Sequence, residues 1–285
     1  MRGFVRRHPA SSYFILTFAI SWGGLILVAG PTHLAGTPQE FERLFPIALP
    51  FIVLGPSVSG IVITLLSGGR LRLGWRVAPW WYAIALFTAP LYFMAVGLAF
   101  AAFSPQFMPG IFTADDTTTF VAKGIAVALV AGIVEELGWT GFAVPALLRR
   151  YKGIITGLIV GSLWGAWHIL PKIWGANAHG VFDYLPLDLA TAVVGLTGFR
   201  VLMVWVYERT QSLLIAILLH TGLTASTLIL QPIVTGTPIL VIGVALALAP
   251  WLIVGVIALV TTQRLRSITQ GDRETELTRE HRHAA

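Results

Sequence analysis

The sequence predicts an all-α, polytopic membrane protein with eight transmembrane helices and both termini on the cytoplasmic side. Three observations predict it. First, 56% of the 285 residues are hydrophobic and only 11% are charged, whereas a soluble domain carries about 25% charged residues. Second, the mean hydropathy is +0.79, and the apolar residues gather into runs of roughly 20, the length that crosses a hydrocarbon core. Third, the positive charges fall in alternate linkers. The net charge of +6 does not point to nucleic acid, because the basic residues sit at span ends and form no single patch. With no cysteine, disulfides and thiolate metal sites are excluded.

Each span is justified by an apolar run bounded by polar or turn-forming residues. Ser11–Gly30 and Phe45–Ser67 hold no charge. The first is long and has no convincing cleavage site, so it reads as an anchor rather than a signal peptide. Val77–Phe103 is interrupted by Pro79 and Pro90. Thr117–Leu148 contains Lys123, Glu135 and Glu136. Gly153–Pro171 follows, then Pro186–Tyr207, with Asp188 near its start and Arg200 inside it. Leu213–Leu230 and Pro238–Val260 complete the set. Residues 1–262 thus form one membrane domain, and 263–285 a polar cytoplasmic tail, expected to be a frayed helix or disordered.

The linkers set the orientation. Arg2, Arg6 and Arg7 precede the first span; Arg70, Arg72 and Arg76 lie between the second and third; Arg149, Arg150 and Lys152 between the fourth and fifth. Arg209 follows the sixth span, and Arg264 and Arg266 the eighth. The intervening linkers are poor in positive charge: one has Arg43 with Glu40 and Glu42, one Asp115 and Asp116, one Lys172. By the positive-inside rule the arginine-rich linkers are cytoplasmic.

Glu135 and Glu136 are the most informative residues. A carboxylate near the bilayer centre costs at least about 2.5–3.5 kcal/mol on insertion scales, so it is there for a job or a partner. Two later spans carry one deep histidine each, His168 and His220. Residues four apart share a helix face. That spacing pairs Glu136 with Thr140, Glu135 with Trp139, Trp164 with His168 and His220 with Thr224. At 1.5 Å per residue Glu136 lies roughly 20 Å from Arg149, His168 roughly 24 Å from Lys152 and His220 roughly 14 Å from Gln211, differences that helix tilt and the choice of span ends can absorb. The four groups can therefore meet in one layer. A carboxylate backed by imidazole can activate water, and a second imidazole or a hydroxyl can stabilise an oxyanion. These are the parts of a hydrolase with no serine or cysteine nucleophile. Arg200, roughly 10 Å inside the membrane from Tyr207, is predicted to neutralise one glutamate; the alternative is snorkelling to the surface. Trp164 could equally be an interface-belt aromatic.

Three runs, EELGWTGFAVPALL (Glu135–Leu148), WGAWHILP (Trp164–Pro171) and YERTQSLLIAILLHTGLTAS (Tyr207–Ser226), resemble the CPBP family. These are the type II CAAX prenyl endopeptidases and their bacterial relatives, some linked to bacteriocin processing or immunity. GPSVSGIVITLL (Gly55–Leu66) fits as well, and Gly-Trp after the glutamates resembles the bacterial branch. The resemblance implies a multi-pass protein of a bacterial cell membrane. It also implies that a glutamate, helped by His168, activates water, and that His220 with the residue at position 224 forms the oxyanion hole. The family has an arginine where this chain has Thr140 and an asparagine where it has Thr224.

The expected activity is therefore intramembrane hydrolysis of a peptide bond in a peptide or membrane-protein substrate within the lipid bilayer. Glu135, Glu136, His168, His220 and Thr224 are the catalytic candidates, and Trp164, Thr140 and Arg200 line the site. No obligatory cofactor is expected. The ligand types leave a divalent metal such as zinc open, although no H-E-x-x-H helix is present. Two alternatives are a non-catalytic member that binds a peptide or protein partner, and an ion-coupled transporter. A cavity closed on one side favours hydrolysis, a path open to both sides favours transport, and a sealed site favours a binding or structural role.

Overall fold

The computed structural model describes residues 2–30, 37–75, 77–179, 182–234 and 236–283. Side chains are described as far as residue 263, apart from those of Arg2, Ala178, His179 and Phe182. Arg76 and His33 lie outside the described residues, as do the side chains of Arg2, His179, Arg264, Arg266, His281 and His283.

Among the described residues the structure is helical, with no strand. Its helices are α1 (Arg2–Arg7), α2 (Pro9–Ala29), α3 (Pro38–Ser67), α4 (Trp80–Ala101), α5 (Thr117–Gly138), α6 (Val144–Leu148), α7 (Gly153–Trp167), α8 (Ile169–His179), α9 (Leu185–Thr210), α10 (Leu213–Ile229) and α11 (Thr237–His283). One turn of π-helix, Trp139–Ala143, joins α5 to α6. The chain is an integral, polytopic membrane protein, and large apolar side chains such as Leu27, Leu65, Leu91 and Leu252 cover its exposed flanks.

Of the eight expected spans, seven are, among the described residues, long and apolar enough by themselves to cross a bilayer. The remaining one, α10, has 17 residues and rises only roughly 26 Å. It packs against α4, α5 and α9, so its polar backbone ends are held by protein rather than by lipid. One difference concerns a linker: that expected after Pro171 contains α8. The last helix runs past the apolar span to His283.

Three of the prolines within the helical segments tie the bundle together, because a proline cannot donate to the carbonyl four residues before it. In a membrane that carbonyl needs another donor. Pro56 frees the Ile52 carbonyl, and the Ser21 hydroxyl of α2 donates to it at 2.8 Å. Pro145 frees Gly141, which accepts the Arg72 backbone N–H at 3.0 Å. Pro171 frees Trp167, which accepts the Trp22 indole N–H at 3.0 Å. Each break thereby becomes a tie between distant segments. The last also ends α7 at Trp167 and puts His168 in the turn before α8.

Small residues then bring the helices close. A Cβ added to Gly157, Gly161 or Gly165 of α7 would lie 2.7, 2.6 and 2.7 Å from backbone Cα atoms of α9. On α5 the stripe Gly124, Ala128, Gly132 is buried, and a Cβ on Gly132 would lie 3.0 Å from the Ile217 carbonyl of α10. Glu136 is the next residue on that stripe, so the same close packing that joins α5 to α10 delivers a carboxylate into the seam.

Gly161 also lies beside Arg200, 3.0 Å from an added Cβ to the Arg200 Cβ. Gly161→Val is therefore expected to destabilise the bundle by about 1–3 kcal/mol, the usual effect of overpacking. Thermal unfolding in detergent would show a lowered Tm. An unchanged Tm would mean that the α7–α9 contact is looser than described.

Candidate active site

Glu135 and Glu136 occupy the last turn of α5, just before the π turn. They are adjacent in sequence and rotated by about 100° from each other, so their partners differ. Glu136 faces α9 and α10 and is fully buried. Arg200 of α9 clasps it with both terminal nitrogens, Nη2 to Oε1 at 2.8 Å and Nη1 to Oε2 at 2.9 Å. Thr140 donates to Oε2, and Arg200 Nη1 lies 3.5 Å from the Thr140 hydroxyl. His220 of α10 approaches Oε1 with Nδ1 at 2.7 Å. A carboxylate clasped by a guanidinium only accepts hydrogen bonds, so Nδ1 carries the proton and donates it. This fixes the tautomer and leaves Nε2 on the opposite edge of the ring.

Glu135 looks the other way. Its Oε2 accepts the indole N–H groups of Trp139 at 3.3 Å and Trp164 at 3.2 Å. His220 Nε2 lies 3.9 Å from the same oxygen, too far for a direct hydrogen bond. Trp164 links the two carboxylate environments: its N–H serves Glu135 while its face receives the Arg200 guanidinium, 4.2 Å from the ring centroid, a cation–π contact.

A cavity of about 310 Å³ opens onto this centre. Glu135, Trp164, His168, His220 and Thr224 line it; Glu136, Thr140 and Arg200 lie behind its wall. His168 Nδ1 lies 2.8 Å from the Trp164 carbonyl, and its ring packs edge-on to Trp167 at 4.8 Å. No hydrogen bond joins His168 to either glutamate among the described residues. The eight candidates thus gather around one centre, in two groups: five on the cavity and three behind it.

The sequence reading missed the cavity's outer end. Lys172 of α8 and Asp188 of α9, which had read as a linker residue and a span-end residue, line it as an ion pair at 2.8 Å. The signal was present in the opposite charges flanking one linker. Among the described residues no group of three or more histidine, aspartate or glutamate side chains is disposed to hold a metal ion. One carboxylate and one imidazole nitrogen of the obvious donor set already face each other and Arg200.

This geometry coincides with a sequence match. Residues 117–226 match the family described as type II CAAX prenyl endopeptidase Rce1-like. The segment is similar to that family. It contains both glutamates, both histidines and Arg200, and thus the whole centre described above. The chain is also similar to CAAX prenyl protease 2 of Methanococcus maripaludis, with 26% identity over 95 residues. That alignment covers 32% of this chain and 35% of the relative, so the chain spans about a third of the length of the curated protein that it matches.

Because Arg200 and Glu136 are both fully buried, removing one leaves the other charge uncompensated. Arg200→Leu is expected to lower stability by about 3–5 kcal/mol. Arg200→Leu combined with Glu136→Leu should lose less than the sum of the single changes. Chemical unfolding in mixed micelles measures this coupling, and strict additivity would contradict it.

Proposed function

We propose that this protein is an intramembrane endopeptidase in which Glu135 activates a water molecule against a peptide carbonyl. The observation that carries the reading is the division of labour between two adjacent glutamates. Glu136 has every oxygen engaged by Arg200, Thr140 and His220. Glu135 faces the cavity with an oxygen 3.9 Å from His220 Nε2, a gap that one water oxygen can bridge.

In this reading Glu135 accepts a proton from water as the water oxygen bonds to the carbonyl carbon. The carbonyl oxygen gains the negative charge. The Thr224 hydroxyl donates a hydrogen bond to that charge, with the His220 ring beside it. The C–N bond then breaks, and the proton held by Glu135 passes to the leaving amine, with His168 across the cavity assisting the transfer. Glu136, Arg200 and Thr140 are positioning residues: they hold the His220 ring and tautomer. Trp164 orients Glu135. No step as written uses a metal, and metal-independent turnover is part of the proposal. The substrate is a polypeptide segment that enters the cavity, and nothing on the cavity wall calls for a prenyl group.

The test is cleavage of a broad peptide library by the purified protein in detergent. Glu135→Gln keeps the shape and the indole contacts, and is expected to slow cleavage by about 10²–10⁴-fold, the usual worth of a general base. His220→Ala should do likewise, and a chelator should leave the rate unchanged. Undiminished cleavage by Glu135→Gln would overturn the assignment. Absence of any cleavage by the folded wild type would favour a member that binds peptides without cutting them.

A further inference from the structure

The cavity is one-sided. The chain crosses the bundle repeatedly, so each lining residue has a known position between the arginine-rich end and the opposite end. On α9 the lining runs from Asp188 to Leu196 and stops well before Arg209. On α10 it begins at His220 and continues to Gln231, with nothing from the Ser212 end. On α11 it lies at Gly243–Ala247, in the first turns after Thr237. Among the described residues, none from the linkers carrying Arg70, Arg149 or Arg209 contributes. The helices that line the cavity therefore do so with their middle and far portions.

The arginine-rich side is closed by a built seal. Beneath the glutamates lie Arg200, Trp139, Tyr13 and Phe142, all buried, with the Tyr13 and Trp139 rings edge-on at 5.8 Å. Below them the linker after α3 runs across the bundle end and is pinned at two points. The Arg72 N–H donates to the Gly141 carbonyl at 3.0 Å, and the Gly74 carbonyl accepts the Leu213 N–H at 2.8 Å and the Ser212 hydroxyl at 3.0 Å. The seat for this strap is fixed by the sequence. Pro145 leaves Gly141 without its helical donor, and a Cβ on Gly74 would lie only 1.9 Å from the Gln211 carbonyl oxygen.

We propose that the site takes its substrate from the side of the membrane opposite the arginine-rich linkers, which the positive-inside rule makes the extracytoplasmic side. The substrate class is then a polypeptide segment exposed on that side, such as the membrane-proximal part of an exported or membrane-anchored protein. It enters past the Lys172–Asp188 pair. This rests on the endopeptidase reading only for the word substrate; the sidedness stands on the cavity and its seal.

The chain has no cysteine, so single introduced cysteines report access without background. Thr191→Cys and Gln231→Cys place a thiol at the outer cavity, and Arg149→Cys marks the arginine-rich face. Each variant is exposed to a charged, membrane-impermeant thiol reagent, in intact cells and in inverted vesicles. The expected result is labelling of Thr191→Cys and Gln231→Cys in intact cells and of Arg149→Cys only after inversion. Labelling of both cavity cysteines from the same face as Arg149→Cys, or of neither cavity cysteine from any face, would overturn the proposal. Labelling of Arg149→Cys in intact cells would overturn the extracytoplasmic assignment. None of these readouts depends on turnover. An inactive protein with far-side labelling would sink the enzyme reading alone, and an active one with near-side labelling would sink the sidedness alone.

Discussion

The clasp between Arg200 and Glu136 joins α9 to α5 in a layer from which water is excluded. Each charge there would be prohibitive alone, so each helix must arrive in register with the other. The clasp also determines what the neighbours can do. With both oxygens of Glu136 taken, His220 has one way to orient its ring, and Trp164 is held against the guanidinium face. Glu135 is what remains: a carboxylate of the same helix turn, supported by two indole N–H groups and facing a cavity. One buried ion pair thus sorts two chemically identical side chains into a clasped anchor and one left facing the cavity.

The supporting scaffold follows from how a membrane interior treats backbone. Glycine stripes on α5 and α7 let neighbouring helices approach to backbone contact, which substitutes for the hydrophobic drive that is weak between helices in lipid. Prolines interrupt α3, the α5–α6 junction and the start of α8, and each orphaned carbonyl finds a donor on another segment. Two of these ties border the centre. The Gly141 tie anchors the strap below it, and the Trp167 tie ends α7 so that His168 turns toward the cavity. The π turn at Trp139–Ala143 sits between them, a local rewinding of the kind often found at functional sites.

Much of the centre was legible in the sequence because burial of charge in a membrane is so costly that few residues qualify. The glutamates and the two histidines stood out on that ground, Arg200 as a counter-charge in place of the arginine absent at Thr140, and the i, i+4 spacing correctly paired Glu135 with Trp139 and Glu136 with Thr140. Four-residue spacing could not tell which glutamate Arg200 would clasp, because that depends on the rotation of α9 against α5. Nor could it see that Thr140 and Arg200 stand behind the cavity wall. The shortness of α10 was less legible: hydropathy reads apolarity, and this helix is walled by other helices. The Lys172–Asp188 pair was hidden because its two charges lie on either side of a linker whose path the sequence does not specify. The strap was hidden for a similar reason: its meaning depends on Pro145, more than sixty residues away.

The central claim is that adjacent glutamates have separable roles, and the most direct measurement compares Glu135→Gln with Glu136→Gln on two readouts, Tm in detergent and the rate of peptide cleavage. The account predicts that Glu135→Gln keeps a Tm close to the wild type and loses cleavage, whereas Glu136→Gln lowers the Tm markedly because Arg200 loses its counter-charge. The reverse pattern, a destabilised Glu135→Gln and a stable Glu136→Gln, would contradict it.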